Sequence, residues 1–144
     1  MRRHIGFRMR LVSNQVSHAF AEKVAETGVT VAEWVVLREM YSDEGMTPSR
    51  LAELTGLTRG AVSKLTDRLF VKKLLTRTER NADRRYQDVA LTAAGKRLVP
   101  VLAALADKND AQFFACLTPG EREELTRLLK KIAEAHSMRT VPVE

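Results

Sequence analysis

The sequence predicts a mainly α-helical chain with one small β-hairpin, and three observations carry that expectation. Apolar residues recur every three or four positions through most of the chain, the period of a helix with one buried face. Five helix-start signals open those stripes, and each begins with a threonine whose hydroxyl can cap the helix. Between Leu74 and Leu91 the period changes to that of two short strands around a polar turn. At 144 residues the chain is one domain and long enough to bury a core unaided.

The first stripe, Ile5, Met9, Val12, Val16, Phe20 and Val24, predicts a helix that Gly28 ends. Thr30 with Glu33 three residues on forms the pattern of a capping box, opening a second helix with Val31, Trp34, Val35, Leu37 and Met40 on its apolar face. Asp43-Glu44-Gly45 terminates it. Thr47-Pro48 begins a short third helix (Leu51, Ala52, Leu54), a hydroxyl cap followed by a proline whose missing N–H costs nothing there. Gly56 stops it, and Thr58 caps a fourth helix whose Val62, Leu65 and Leu69 face inward.

Leu74–Glu79 and Tyr86–Leu91 read as strands joined by Arg80-Asn81-Ala82-Asp83. Thr92 caps a long fifth helix with the stripe Leu98, Leu102, Leu105, Gln112/Phe113 and Cys116, in which Pro100 should introduce a kink. That stripe places Cys116 as a buried structural thiol. Thr118-Pro119-Gly120-Glu121 is a second capping box, opening a sixth helix with Leu125, Leu128, Leu129 and Ile132 on one face. The tail from Ser137 has no periodicity.

Charge singles out the middle of the chain. Residues 47–97 hold twelve Lys and Arg against five acids, a balance of +7 where the whole chain carries +6. Charge concentrated in one segment is the electrostatic footprint of a nucleic-acid binder. The run from Leu51 to Leu65 fits a helix-turn-helix: Ala52 is small where two helices approach, Gly56 can take the left-handed turn, and Leu57 and Val62 fill the angle. Thr58, Arg59, Gly60, Ser63 and Lys64 then lie at the N-terminal end of the second helix, where base edges are read. Arg59 can pair bidentately with guanine, Ser63 can donate or accept, and Gly60 allows close approach. Lys64 and Arg68 suit phosphates, and Asp67 shares the outer face. The hairpin adds Arg77, Arg80, Arg84 and Arg85, a density that favours a wing reaching into a minor groove. Asp83 can orient Arg85.

With these residues in place, the chain resembles the MarR family of bacterial transcriptional regulators from about Thr30 to Gly95. The resemblance rests on Trp34-Val35-Val36-Leu37-Arg38, Leu51-Ala52, Val62-Ser63, Asp67-Arg68-Leu69, Leu74-Leu75-Thr76-Arg77, and Asp83-Arg84-Arg85 leading to Val89, Leu91-Thr92 and Gly95. It implies a winged helix in each subunit of a symmetric dimer, repression often relieved by a small ligand or oxidation, and Asp83 with Arg85 as the wing-tip pair. The family usually has glycine where this chain has Lys73. It also implies a small-ligand pocket between the DNA-binding and dimer regions, for which His18, Trp34 and Met40 are candidate linings. Some members sense peroxide through a cysteine in the first helix, where this chain has none.

The domain reading is a single MarR-like domain over 1–144. Residues 30–97 form the winged-helix DNA-binding region, 1–27 and 98–137 the dimerisation helices, and 138–144 the tail. Pairing the apolar stripes of the first, fifth and sixth helices would build a homodimer whose recognition helices sit one duplex turn apart, ~34 Å. The expected function is ligand-responsive repression on a pseudopalindromic operator. The alternatives are a winged-helix protein-interaction module and a nonspecific architectural DNA binder. An enzyme is excluded: Gly95-Lys96 lacks the earlier glycine of a phosphate loop, where Ala90 stands, and no catalytic constellation has supporting context. No cofactor or structural metal is expected from one cysteine and three scattered histidines. No run of ~18 apolar residues exists to span a membrane, no secretory signal follows the basic start, and the cytoplasm is the simplest location.

Overall fold

Threonine sets the boundaries of most helices. In the computed structural model, which describes residues 3–43, 45–79 and 87–138, Thr30, Thr47, Thr58, Thr92 and Thr118 each accept a backbone N–H three residues on. A cap of this kind is worth about 1 kcal/mol over alanine. Among the described residues only the first helix starts from a residue, His4, without a side-chain cap. Among the described residues the elements are α1 (Ile5–Ala25), α2 (Val31–Met40), α3 (Pro48–Thr55), α4 (Arg59–Val71), β1 (Leu75–Glu79), β2 (Gln87–Leu91), α5 (Ala93–Phe113) and α6 (Pro119–Ala135).

The two capping-box sequences part company. At Thr118 the box closes both ways, and the Thr118 N–H donates to Glu121 at 2.9 Å. That backbone bond, with the Thr118 hydroxyl second, holds the Glu121 carboxyl below its usual value. At Thr30 the hydroxyl half forms and the hydroxyl also donates to Glu33 at 3.2 Å, but the Glu33 carboxylate does not take the Thr30 backbone N–H. It accepts from Lys72 at the end of α4, at 2.7 and 3.0 Å. A strong cation outcompetes a backbone amide for a buried carboxylate.

β1 and β2 pair antiparallel in the register Leu75↔Leu91 to Glu79↔Gln87. Leu74, expected in the first strand, lies in the preceding turn. Tyr86 and the Arg80–Asp83 turn lie outside the described residues. One strand partner went unpredicted: Met46 exchanges both backbone hydrogen bonds with Val89, at 2.9 and 2.8 Å. The segment after α2 is thereby stitched to the hairpin's edge.

The core lies between α2, α3, α4 and the hairpin, built on Leu37, Met40, Leu51, Val62, Leu69 and Leu75. The C-terminal end of α1 (Val24) and the N-terminal half of α5 (Val99, Leu102) close it. α5 continues unbroken through Pro100. It ends earlier than its stripe suggested, because Arg122 donates to the carbonyls of Phe114 and Ala111 at 3.1 and 3.0 Å and so satisfies the last turn. Cys116 is therefore not on the α5 stripe. It sits exposed in the turn to α6, which corrects the expectation of a buried thiol.

The first turns of α1 and the length of α6 look outward. No residue of α6 is buried, and Leu125, Leu128, Leu129 and Ile132 are all exposed. The first turns of α1 expose Ile5 (74%), Phe7, Met9, Leu11 and Val12. Among the described residues no helix is long and apolar enough to cross a membrane.

Candidate nucleic-acid interface

Thr47 and Pro48 open α3, and Gly56 closes it in the left-handed conformation (φ 74°), a backbone shape that L side chains resist. Two residues later Thr58 starts α4. Val62, Leu65 and Leu69 anchor its inner face in the core. The arithmetic of 3.6 residues per turn then leaves Arg59, Gly60, Ser63, Lys64, Asp67 and Arg68 outside. Every one of them is exposed, as is the Thr58 cap. Among the described residues Arg59, Lys64 and Arg68 have no ion-pair partner, whereas Arg50 pairs with Glu53 and Lys72 with Glu33. Three free cations thus share one exposed helix with a serine and a glycine.

Gly60 has no packing reason to be glycine. A Cβ added there would meet only the Thr58 hydroxyl oxygen, 4.0 Å away. The space it leaves open is on the solvent side.

Arg77 behaves differently from the other basic residues. Its guanidinium pairs with Asp67 of α4 and lies over the Phe70 ring, 4.7 Å from the centroid. Asp67 is 62% exposed, so without Arg77 a bare carboxylate would stand among the cations of α4. Arg77 masks that charge and fastens β1 to α4. Asp83, Arg84 and Arg85 lie outside the described residues.

The turn from α4 into β1 is closed by two hydrogen bonds. Leu74 N–H reaches Leu69 O and Lys73 N–H reaches Phe70 O, both at 3.0 Å. This is the Schellman arrangement, which wants glycine at the position Lys73 holds. Lys73 adopts φ 61° nonetheless. The helix end thus keeps the geometry that glycine would give, with the strain borne by lysine.

His18 lies apart in exposure from Trp34 and Met40. Trp34 and Met40 belong to the core cluster, with Arg38 stacked 5.8 Å from the Trp34 ring. His18 stands on the exposed side of α1, 3.2 Å from Glu22. A separate open groove of about 210 Å³ runs between α1 and α5, lined by Val16, Ser17, Phe20, Ala106, Asn109 and Asp110. Buried Asn109 accepts from Lys23 and donates to the Val16 carbonyl, at 2.9 and 3.2 Å. Sequence reasoning missed Asn109, whose polarity on an apolar stripe was its only signal. Among the described residues no three His, Cys, Asp or Glu side chains come together as a metal site would require.

Residues 27–85 match a family model described as MarR family. An HTH-type transcriptional repressor, MdtR of Bacillus subtilis, is 27% identical over 127 residues, covering 88% of this chain and 82% of that protein. A mutant of E. coli MarR solved in complex with operator DNA superposes with a TM-score of 0.77 at 25% identity, over 89% of this chain and 92% of that one. Bordetella bronchiseptica BpsR, from a structure concerned with regulation of its DNA binding by 6-hydroxynicotinic acid, gives a TM-score of 0.79 at 25% identity, over 92% and 96% of the two chains.

Proposed function

The chain belongs to the MarR family of winged helix-turn-helix transcriptional regulators, and from that premise we propose that it represses transcription as a homodimer on a pseudopalindromic operator. The observation that carries the DNA reading is the outer face of α4, where Arg59, Lys64 and Arg68 stand exposed and unpaired beside Ser63 and Gly60. Unpaired cations on one face release condensed counterions when they meet phosphates, and Arg and Ser at a helix N-terminus can address base edges. Operator binding by E. coli MarR, solved on the same fold, supports this use of the face.

Dimerisation is supported by the apolar stripes of α1 and α6, which a single subunit leaves in water. Pairing such faces about a two-fold axis would set the recognition helices one duplex turn apart, ~34 Å. Repression is the role named for the MdtR relative. Control by a small organic ligand has its counterpart in BpsR, and in this chain the groove between α1 and α5 is the concave surface nearest that role.

The deciding experiment selects binding sites from a random duplex library at near-physiological salt. The proposal expects an inverted repeat with half-sites one turn apart. Recovery of duplexes without a consensus would make the chain an architectural binder. Failure to bind, with little response to salt, would make it a protein-interaction module.

A further inference from the structure

The Lys72 ammonium uses all three of its hydrogens on two places far away in sequence. It donates to both carboxylate oxygens of Glu33, at 2.7 and 3.0 Å, and to the carbonyl of Gly28, at 2.8 Å. Gly28 lies in the turn that leads from α1 into α2, and Glu33 stands in the first turn of α2. Lys72 is itself the C-cap of α4. One side chain therefore joins the end of the recognition helix to the foot of the long helix α1.

The placement asks for a reason. Glu33 is 1% exposed while the Lys72 side chain keeps 36%, and an ion pair that buries its carboxylate is weak evidence for stability, because desolvation offsets much of the attraction. What a pair with three fixed bonds does provide is a defined geometry. The same helix end is held on its other side by α5: Thr92 donates to the Lys73 carbonyl and Thr92 N–H to the Leu74 carbonyl, at 2.8 and 3.1 Å. The C-terminus of α4 is thus clamped between the bases of α1 and α5.

We infer that Lys72, Glu33 and the Gly28 carbonyl form a strut that sets the recognition helix relative to α1, making Lys72 and Glu33 positioning residues for DNA reading. The inference rests on the proposal above. In a dimer built through α1, this strut fixes how far apart and at what angle two α4 helices meet a duplex. Without it each α4 still presents Arg59 and Ser63, so a half-site is still read. What loosens is the demand for a particular distance between half-sites.

The test compares the full-length protein with the double variant E33Q/K72M, in which neither side chain is left as an unpaired buried charge. Binding is measured on the selected operator and on duplexes whose half-site spacing is longer or shorter by one base pair, with melting and light scattering alongside. The wild type should prefer the selected spacing by about tenfold or more, since one base pair displaces a half-site both along and around the helix axis. The double variant should keep its size and cooperative melt but fall to a preference of about threefold or less. Retention of the full spacing preference overturns the inference. If the double variant does not melt cooperatively, E33Q/K72Q carries the same comparison, because it leaves no buried charge and keeps a donor while shortening the arm. A wild type with no preferred duplex at all would instead refute DNA reading itself, an outcome separable from failure of the strut.

Discussion

The Thr92 hydroxyl donates to the carbonyl of Lys73 while accepting the backbone N–H of Gly95, at 2.8 and 3.1 Å. The residue that starts α5 therefore also holds the residue that ends α4, and it does so where the backbone is strained. Lys73 at φ 61° sits in the left-handed region, which costs an L residue roughly 1–2 kcal/mol.

Lys73→Gly should relieve that strain. Against the gain stands the greater freedom of glycine in the unfolded chain, roughly 0.5–1 kcal/mol. The expected net is a stabilisation of up to about 1 kcal/mol, a rise of roughly 2–4 °C in the melting midpoint by calorimetry. A lower midpoint would mean that the lysine side chain contributes more than its backbone loses.

Two glycine-to-alanine changes should behave in opposite ways. At Gly95 a Cβ would lie 2.2 Å from the Leu74 carbonyl oxygen. Gly95→Ala must push α5 away from the α4–β1 turn, and overpacking of that kind costs about 1–3 kcal/mol. At Gly60 the added methyl meets open space. Gly60→Ala should leave stability equal or raise it by up to about 1 kcal/mol, yet weaken binding to the selected duplex. Unchanged affinity would show that DNA does not approach α4 at that point.

Arg59→Ala should lose discrimination between the selected site and single-base variants, by ~1–3 kcal/mol for a bidentate base contact. A uniform loss across all duplexes would assign Arg59 to phosphate.

Arg77→Ala exposes Asp67 to the DNA, so affinity should fall, and the double variant Asp67→Ala/Arg77→Ala should recover part of it. Coupling of about 0.5 kcal/mol or more in that cycle is the expected sign of masking. Full additivity would mean that Arg77 contacts DNA directly.

Arg85→Ala should weaken operator binding with no change in melting or dimer size. Equal affinity for wild type and variant would remove the wing tip from the mechanism.

What the sequence revealed was local. Thr47-Pro48, Thr58 and Thr118 announce helix starts within four residues, and Val62, Leu65 and Leu69 announce which face of α4 turns inward. The bond between Lys72 and Glu33 spans 39 positions, and nothing near either residue marks the other. Glu33 even carries a competing local explanation, the capping box, whose carboxylate half goes to the distant lysine. Met46 failed for a related reason: a single apolar residue between Gly45 and Thr47 has no period, and its pairing with Val89 depends on the folded hairpin. Cys116 was misplaced because a stripe says where helix could continue, whereas the carbonyls taken by Arg122 decide where it stops.

No residue of the helix α6 is buried within its own subunit. In the proposed dimer its order comes from a second chain, which makes folding and association a single equilibrium and ties the melting midpoint to protein concentration. Below the dissociation constant, occupancy of a two-half-site operator would grow with the square of subunit abundance, so a modest change in protein level becomes a larger change at the promoter.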